Sequence, residues 1–260
     1  MNDVRAGDSR LPSLGFGWRG RIGFISPTVV EVKAWDFYRI APPGLGFVGV
    51  TCSIEGWSQE QYDAGLAQVD NAARYLGSRG VDFVIQGGAP LVMSRGLAFD
   101  EELSQRMRDL SGVPSITTVR AAIDAMRHLG MRRIALATPY PPAQNEKTAS
   151  YFQASGFDVV HQATLDLPFK EIQDVSPARI YRFILDVARS MPEADGLYMP
   201  CPQWSVCDVI EVAERDTGLP IVAGVTAEFW AAFRALGIRD EIRGYGRLLA
   251  SLADESVPVG

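Results

Sequence analysis

The 260-residue sequence contains little cysteine and histidine, with three Cys and two His. An odd, sparse set of cysteines does not build the disulfide framework of a small secreted domain, so we expect Cys52, Cys201 and Cys207 to be free thiols. Neither His128 nor His161 belongs to a cluster with zinc-ligand spacing. The sequence therefore predicts no metal site.

Long hydrophobic runs and an excess of positive charge are also missing. No apolar run approaches the roughly 20 residues that span a bilayer, and residues 1–15 lack the apolar core of a signal peptide. The net charge of -6 provides no broad basic surface for phosphate backbones. We therefore expect a cytoplasmic protein that binds neither membranes nor nucleic acids.

Nucleotide-binding motifs are absent once their context is considered. Residues 15–20 and 44–49 match G-x-G-x-x-G literally, but both precede strands, whereas a dinucleotide loop follows a strand and opens a helix. There is no Walker loop and no G-x-S-x-G elbow. The sequence gives no basis for nucleotide or serine-esterase chemistry.

Short runs rich in Val and Ile alternate with longer amphipathic segments, a pattern typical of an α/β fold with a parallel sheet covered by helices. The predicted strands are 21–26, 47–52, 82–86, 115–117, 133–138, 158–161, 196–199 and 220–223. The predicted helices are 58–78, 99–110, 119–129, 143–154, 177–189, 205–217 and 227–236.

An internal echo indicates two similar halves. Segments 112–130 and 218–237 share the order Gly, apolar, Pro, short strand and amphipathic helix ending in Leu-Gly, and a second matched pair, 81–93 and 194–206, lies upstream. We predict a first half from 21–117 plus 225–250, a second half from 118–224, and tails at 1–20 and 251–260. Because ligands bind beyond the carboxyl ends of parallel strands, the equivalent turns should face one site between the halves.

Cys201 is the strongest single candidate for chemistry. It ends a predicted strand and begins a turn into a helix near Ser205, whose dipole would favour a thiolate. A free cysteine is more often a small buried hydrophobe, and Cys52 and Cys207 fit that interpretation.

Four further side chains follow predicted strands or flank predicted helices. Tyr140 could donate a hydrogen bond to a carboxylate or simply close a loop. Asn145 could bind substrate or cap a helix. Trp57 and Trp204 could form the wall of an apolar cavity or belong to the core.

Taken together, these segments resemble a known group. GGAPLVMSRGLAFDEEL, LGMRRIALATPYPPAQN, ADGLYMPCPQW, TGLPIVAGVTAEFWAAFRALGI and GYGRLL occur in this order within residues 21–249. The order is similar to that of the arylmalonate decarboxylase and maleate cis-trans isomerase branch of the Asp/Glu racemase superfamily.

The resemblance implies two flavodoxin-like halves with a cofactor-independent site for a small carboxylic acid between them, and it suggests a homo-oligomer. Racemases and isomerases of this group carry one cysteine from each half, whereas the decarboxylase has glycine at the N-terminal turn. Gly88 and Cys201 match the decarboxylase pattern. Cys201 would then protonate an enolate while Tyr140 holds the retained carboxylate, with Ala89 beside Gly88 in the binding turn.

This chain departs from the decarboxylase at both turns. Ala89 and Pro90 replace hydroxyl residues, and Pro202 follows Cys201, so N–H donors expected in an oxyanion pocket are missing. Arg120 could replace them as a carboxylate partner or be a surface charge. The leading hypothesis is a decarboxylating lyase. The alternatives are a maleate-type isomerase or racemase that uses Cys201 as acid/base, and a non-catalytic carboxylate-binding protein.

Overall fold

A computed structural model describes residues 15–191 and 193–254, and within them the chain forms two four-stranded parallel sheets. The first sheet has the order β2-β1-β3-β4 and the second the order β6-β5-β7-β8. The strands are β1 (Gly20–Ser26), β2 (Leu45–Thr51), β3 (Phe83–Gln86), β4 (Ser115–Thr117), β5 (Arg133–Thr138), β6 (Asp158–Thr164), β7 (Gly196–Met199) and β8 (Ile221–Ala223).

Helices cover both sheets. They are α1 (Glu31–Ile40), α2 (Gln59–Ser78), α3 (Ala89–Met93), α4 (Leu97–Ser111), α5 (Thr118–His128), α6 (Pro142–Ala154), α7 (Pro177–Arg189), α8 (Ile210–Thr217), α9 (Gly224–Ala235) and α10 (Arg247–Ala250). Two short 3-10 helices, Phe169–Asp174 and Ser251–Ala253, complete the described elements. None of the described helices is long and apolar enough to cross a membrane.

The predicted α/β class with two doubly wound, parallel halves is confirmed. Each predicted strand corresponds to an observed one, because the central strands β1, β3, β5 and β7 are almost wholly buried and their sequences are continuously apolar. The internal echo of the sequence corresponds to a repeated strand–helix unit, because β4 runs directly into α5 and β8 runs directly into α9. These two helices pack against each other between the sheets.

Some boundaries were predicted wrongly. The helix expected at 205–217 begins only at Ile210, because residues 202–209 form turns. Residues 251–253, assigned to a tail, form a 3-10 helix with Leu252 fully buried. Most of the predicted N-terminal tail, residues 1–14, lies outside the described residues, but Arg19 forms an ion pair with Asp240.

In each sheet, the carboxyl ends of the two central strands are where a ligand is expected. In both sheets the first and third strands are neighbours, and the chain leaves them in opposite directions along the sheet. Such a switch point opens a crevice beyond the carboxyl ends of the strands. The turns after β1, β3, β5 and β7 are therefore the positions at which a site is expected.

Candidate active site

One cavity is lined by all four of these turns. It measures ≈ 510 Å³, including its open mouth. The turn after β1 contributes Pro27 and Thr28, the turn after β3 contributes Gly88, the turn after β5 contributes Tyr140, and the turn after β7 contributes Cys201. The cavity therefore joins the two halves of the chain, as the sequence echo predicts.

Cys201 and Gly88 occupy equivalent turns and share an unusual backbone conformation. Their φ angles are +77° and +90°, in the left-handed region that residues other than glycine rarely adopt. A Cβ atom at Gly88 would lie 2.8 Å from Cγ of Pro27, closer than such atoms approach in proteins. Side-chain chemistry is consequently available at the Cys201 turn and not at the Gly88 turn.

The environment of Cys201 keeps its thiol protonated. Burial raises the pKa of this thiol to about 12, although a hydrogen bond from the Gln203 backbone N–H and the charge of Lys33 act in the opposite direction. The Glu228 carboxylate raises the pKa further. The prediction of a thiolate at a helix N-terminus is wrong, because α8 starts well beyond the turn and desolvation dominates. A neutral thiol is a proton donor.

Tyr140 lines the same cavity with only 1% of its surface exposed. Burial raises the pKa of its phenol well above the ordinary value, and the nearby Cys201 acts in the same direction. The ring packs edge-on against Trp57, with 5.1 Å between centroids. Tyr140 is therefore a neutral O–H donor, which agrees with the role predicted for it.

The other predicted site residues divide into two groups. Ala89 and Trp57 line the cavity with Cys201, Gly88 and Tyr140. These positions are compatible with substrate contact, and the roles themselves stay predictions.

Trp204, Asn145 and Arg120 do not line this cavity. Trp204 is fully buried in the hydrophobic core. Asn145 accepts a hydrogen bond from the Thr138 hydroxyl at 2.8 Å, so it supports the strand end from behind. Arg120 forms an ion pair with Asp124 at 3.2 Å. The structure places them outside the cavity lining, and their contact with substrate stays a prediction.

The remaining cysteines are ordinary buried thiols. Neither Cys52 nor Cys207 lines the cavity, and burial raises the pKa of both, to about 11 for Cys52. Among the described residues, no group of three or more His, Cys, Asp and Glu side chains is arranged to hold a metal ion.

Five polar residues of the cavity escaped the sequence analysis, namely Ser26, Thr28, Lys33, Tyr62 and Gln203. Lys33 is 3% exposed and Thr28 is 8% exposed, and both line the cavity. A signal for Lys33 exists in the sequence, because it falls on the helical stripe that also carries Phe37 and Ile40. A lysine on an otherwise apolar stripe indicates a buried charge.

Two aromatic side chains of the cavity wall, Trp57 and Phe169, pack against each other. Phe169 packs edge-on against Trp57 with 4.7 Å between ring centroids. Next to it, Lys170 pairs with Glu55 at 3.0 Å.

Comparison with known proteins gives consistent relatives. A family model described as arylmalonate decarboxylase matches residues 23–249. An arylmalonate decarboxylase of Bordetella bronchiseptica is 31% identical over 229 residues, covering 87% of this chain and 95% of that protein. A maleate isomerase of Geobacillus stearothermophilus is 25% identical over 190 residues, covering 70% of this chain and 74% of that protein.

A solved structure of arylmalonate decarboxylase shares the fold. It is a variant with one Gly-to-Cys and one Cys-to-Ser substitution, in liganded form, and it superimposes with a TM-score of 0.82. Sequence identity is 30%, over 88% of this chain and 98% of that chain. The likeness therefore extends over both halves of the chain.

Proposed function

The chain belongs to the arylmalonate decarboxylase family, and from that membership we propose that it is a cofactor-independent lyase that removes carbon dioxide from a malonate-type acid. In this proposal Cys201 is the proton donor. The relatives of this chain are enzymes that are named for decarboxylation or for isomerisation of small dicarboxylic acids. The substrate class of this chain is therefore a small carboxylic acid.

The observation that carries the proposal is that one thiol lines the cavity while a glycine, which offers no acid, base or nucleophile of its own, stands at the equivalent turn. Cys201 supplies the thiol, and Gly88 stands at the equivalent turn of the other half. Racemisation and cis-trans isomerisation by the two-thiol route need a second acid, base or nucleophile at that position. Decarboxylation needs a single proton donor, which this cavity provides.

The reaction can be written with the groups present. The bond between the α-carbon and the departing carboxylate breaks, carbon dioxide leaves, and the electron pair forms an enediolate. The α-carbon then takes the proton of Cys201, which becomes a thiolate and later regains a proton from solvent. Ile54 and Leu91 give the cavity an apolar wall, against which a carboxylate is poorly solvated and its loss is favoured.

Hydrogen-bond donors remain available even though Pro90 and Pro202 have no N–H. The Tyr140 phenol lines the cavity as a neutral donor. The Thr28 hydroxyl is buried in the wall without a hydrogen-bond partner among the described residues. We assign the binding of the retained carboxylate to these two hydroxyl groups, because an unpaired buried hydroxyl costs stability unless a ligand forms a hydrogen bond with it.

The proposal is tested by following substituted malonates, maleate-type diacids and α-substituted acids in D2O by NMR and mass spectrometry. We expect carbon dioxide loss with one deuterium incorporated, abolished in Cys201→Ala and retained in Cys52→Ala, whose thiol lies outside the cavity. Maleate-to-fumarate conversion, or α-deuteration without loss of mass, would replace the lyase by an isomerase or racemase. Tight binding of an acid without turnover would indicate a binding protein.

A further inference from the structure

A buried ion pair lies beside the cavity. Nζ of Lys33 on α1 is 2.7 Å from Oε2 of Glu228 on α9, and the two side chains are 3% and 0% exposed. Apart from this ion pair, Nζ and both carboxylate oxygens have no hydrogen-bond partner among the described residues. Burying two incompletely satisfied charges is costly, which calls for a reason other than stability.

Lys33 lies beside one of the two equivalent turns of the site. Its ammonium lies against the Gly87–Gly88 turn, because a Cβ atom built on Gly87 would be 3.1 Å from Nζ. The same ammonium lowers the pKa of the Cys201 thiol, and its influence is larger than the opposing one of Glu228. Lys33 therefore has a stronger electrostatic influence on Cys201 than Glu228 has.

Among the described residues that line this cavity, Lys33 is the one with a cationic side chain. The proposed reaction keeps a total charge of -2 in the cavity. A malonate dianion becomes an enediolate dianion plus carbon dioxide, and proton transfer leaves a monocarboxylate and the Cys201 thiolate. An apolar cavity without a cation would disfavour each of these states.

We propose that Lys33 is the specificity-determining cation of this site. Its ammonium, held in place by Glu228, makes the cavity select carboxylate anions over neutral molecules of the same shape and stabilises the negative charge that the reaction keeps there. This inference rests on the proposed function for its substrate class. In this proposal, the Lys33–Glu228 pair compensates for the backbone N–H donors that Pro90 and Pro202 lack.

The test compares the binding of phenylacetate with that of 2-phenylacetamide, its neutral counterpart, by isothermal titration calorimetry. Binding of these probes needs no turnover. We expect the wild type to prefer phenylacetate by about tenfold or more, as for a hydrogen bond or ion pair to a charged group. The double variant Lys33→Met/Glu228→Gln should lose this preference, and it leaves no unpaired buried charge.

A matched control is available because the chain has only three lysines, Lys33, Lys147 and Lys170. Lys147 is exposed on α6 and does not line the cavity, so Lys147→Met should keep the preference. A double variant that melts cooperatively and still prefers phenylacetate overturns the proposal, as does a wild type without preference or without binding.

A second measurement decides the matter if the double variant does not fold. Lysine labelled with 13C at Cε gives one NMR signal per lysine, and the signals of Lys147 and Lys170 are identified by their Met variants. We expect saturating phenylacetate to shift the remaining signal, that of Lys33. An unchanged Lys33 signal overturns the proposal.

The two proposals fail in different ways. A preference for phenylacetate that depends on Lys33, together with silence across the malonate panel, supports the cation and refutes the lyase. Decarboxylation by Lys33→Met/Glu228→Gln with unchanged KM and kcat supports the lyase and overturns the role of Lys33.

Discussion

At the scale of single residues, Tyr140 presents a neutral phenol to the cavity. A hydrogen bond from such a donor to a carboxylate contributes about 1.5–3 kcal/mol. We therefore expect Tyr140→Phe to lower kcat/KM by roughly 10- to 100-fold while the melting temperature changes little. Steady-state kinetics on the malonate found active would measure this effect.

The control for this prediction is Tyr151→Phe. The Tyr151 hydroxyl is also buried, has no hydrogen-bond partner among the described residues, and does not line the cavity. We expect its removal to leave kcat/KM unchanged. Equal losses in the two variants would show that the effect of Tyr140→Phe is structural rather than a lost contact with substrate.

Cys201 gives a second prediction, on the pH dependence of its reactivity. Its folded-state pKa is raised from 9.0 to about 12, so the neutral thiol persists at pH values where an exposed cysteine ionises. Alkylation by iodoacetamide, followed at Cys201 by peptide mass spectrometry, should still accelerate above pH 10. Glu228→Gln should shift the profile to lower pH, because that carboxylate raises the pKa. An alkylation rate that reaches a plateau near pH 9 in the wild type would contradict the raised pKa of Cys201.

Sequence reasoning found part of this site and missed another part for a physical reason. Cys201, Gly88 and Tyr140 directly follow buried strands, and that local pattern is visible in the chain. The role of Lys33 depends on a partner, Glu228, that is remote in sequence and near only in the fold. A charged residue on an apolar stripe shows that something must pair with it, but not what.

At the scale of elements, α1 and the segment before α8 meet through a buried carboxyl. Asp36 is 1% exposed, and burial raises its pKa from 3.8 to about 6. The neighbouring Cys207 thiol and the charge of Arg39 oppose the shift, while Asp208 adds to it. Arg39 also forms an ion pair with Asp208 across the same contact.

The sign of the pH effect follows from this raised pKa. The protonated carboxyl favours the folded state, so its contribution is complete below about pH 3.8 and is lost as the pH rises through about 6. The shift corresponds to about 3 kcal/mol in full. Asp36→Asn should therefore raise the melting temperature relative to wild type more at pH 7.5 than at pH 5. A melting-temperature difference between variant and wild type that does not change with pH would refute the raised pKa of Asp36.

The same helix shows why some elements escaped prediction. The strands were found because they are buried on both faces and read as continuous apolar runs. The buried face of α1 carries Lys33 and Asp36 beside Phe37 and Ile40, so its amphipathic pattern is broken. The beginning of α8 was placed too early because the turn residues Val206 and Cys207 are as apolar as a helix face.

At the scale of the whole molecule, two halves of equal strand order carry unequal chemistry. Both sheets place a left-handed turn after their third strand, yet one turn bears a thiol and the other bears Gly88, whose missing Cβ leaves room for Pro27. The scaffold is nearly two-fold symmetric and the proton donor is not. In the proposed reaction, a planar enediolate held between the turns is protonated by Cys201 from one side.

This asymmetry predicts the stereochemistry of the product. Decarboxylation of methyl(phenyl)malonate should yield 2-phenylpropionate as predominantly one enantiomer, measurable by chiral chromatography, whereas thermal decarboxylation without protein gives the racemate. Protonation by water would reach both faces and give a racemic product. A racemate from active protein would therefore remove Cys201 from the proton-transfer step, even if carbon dioxide is released.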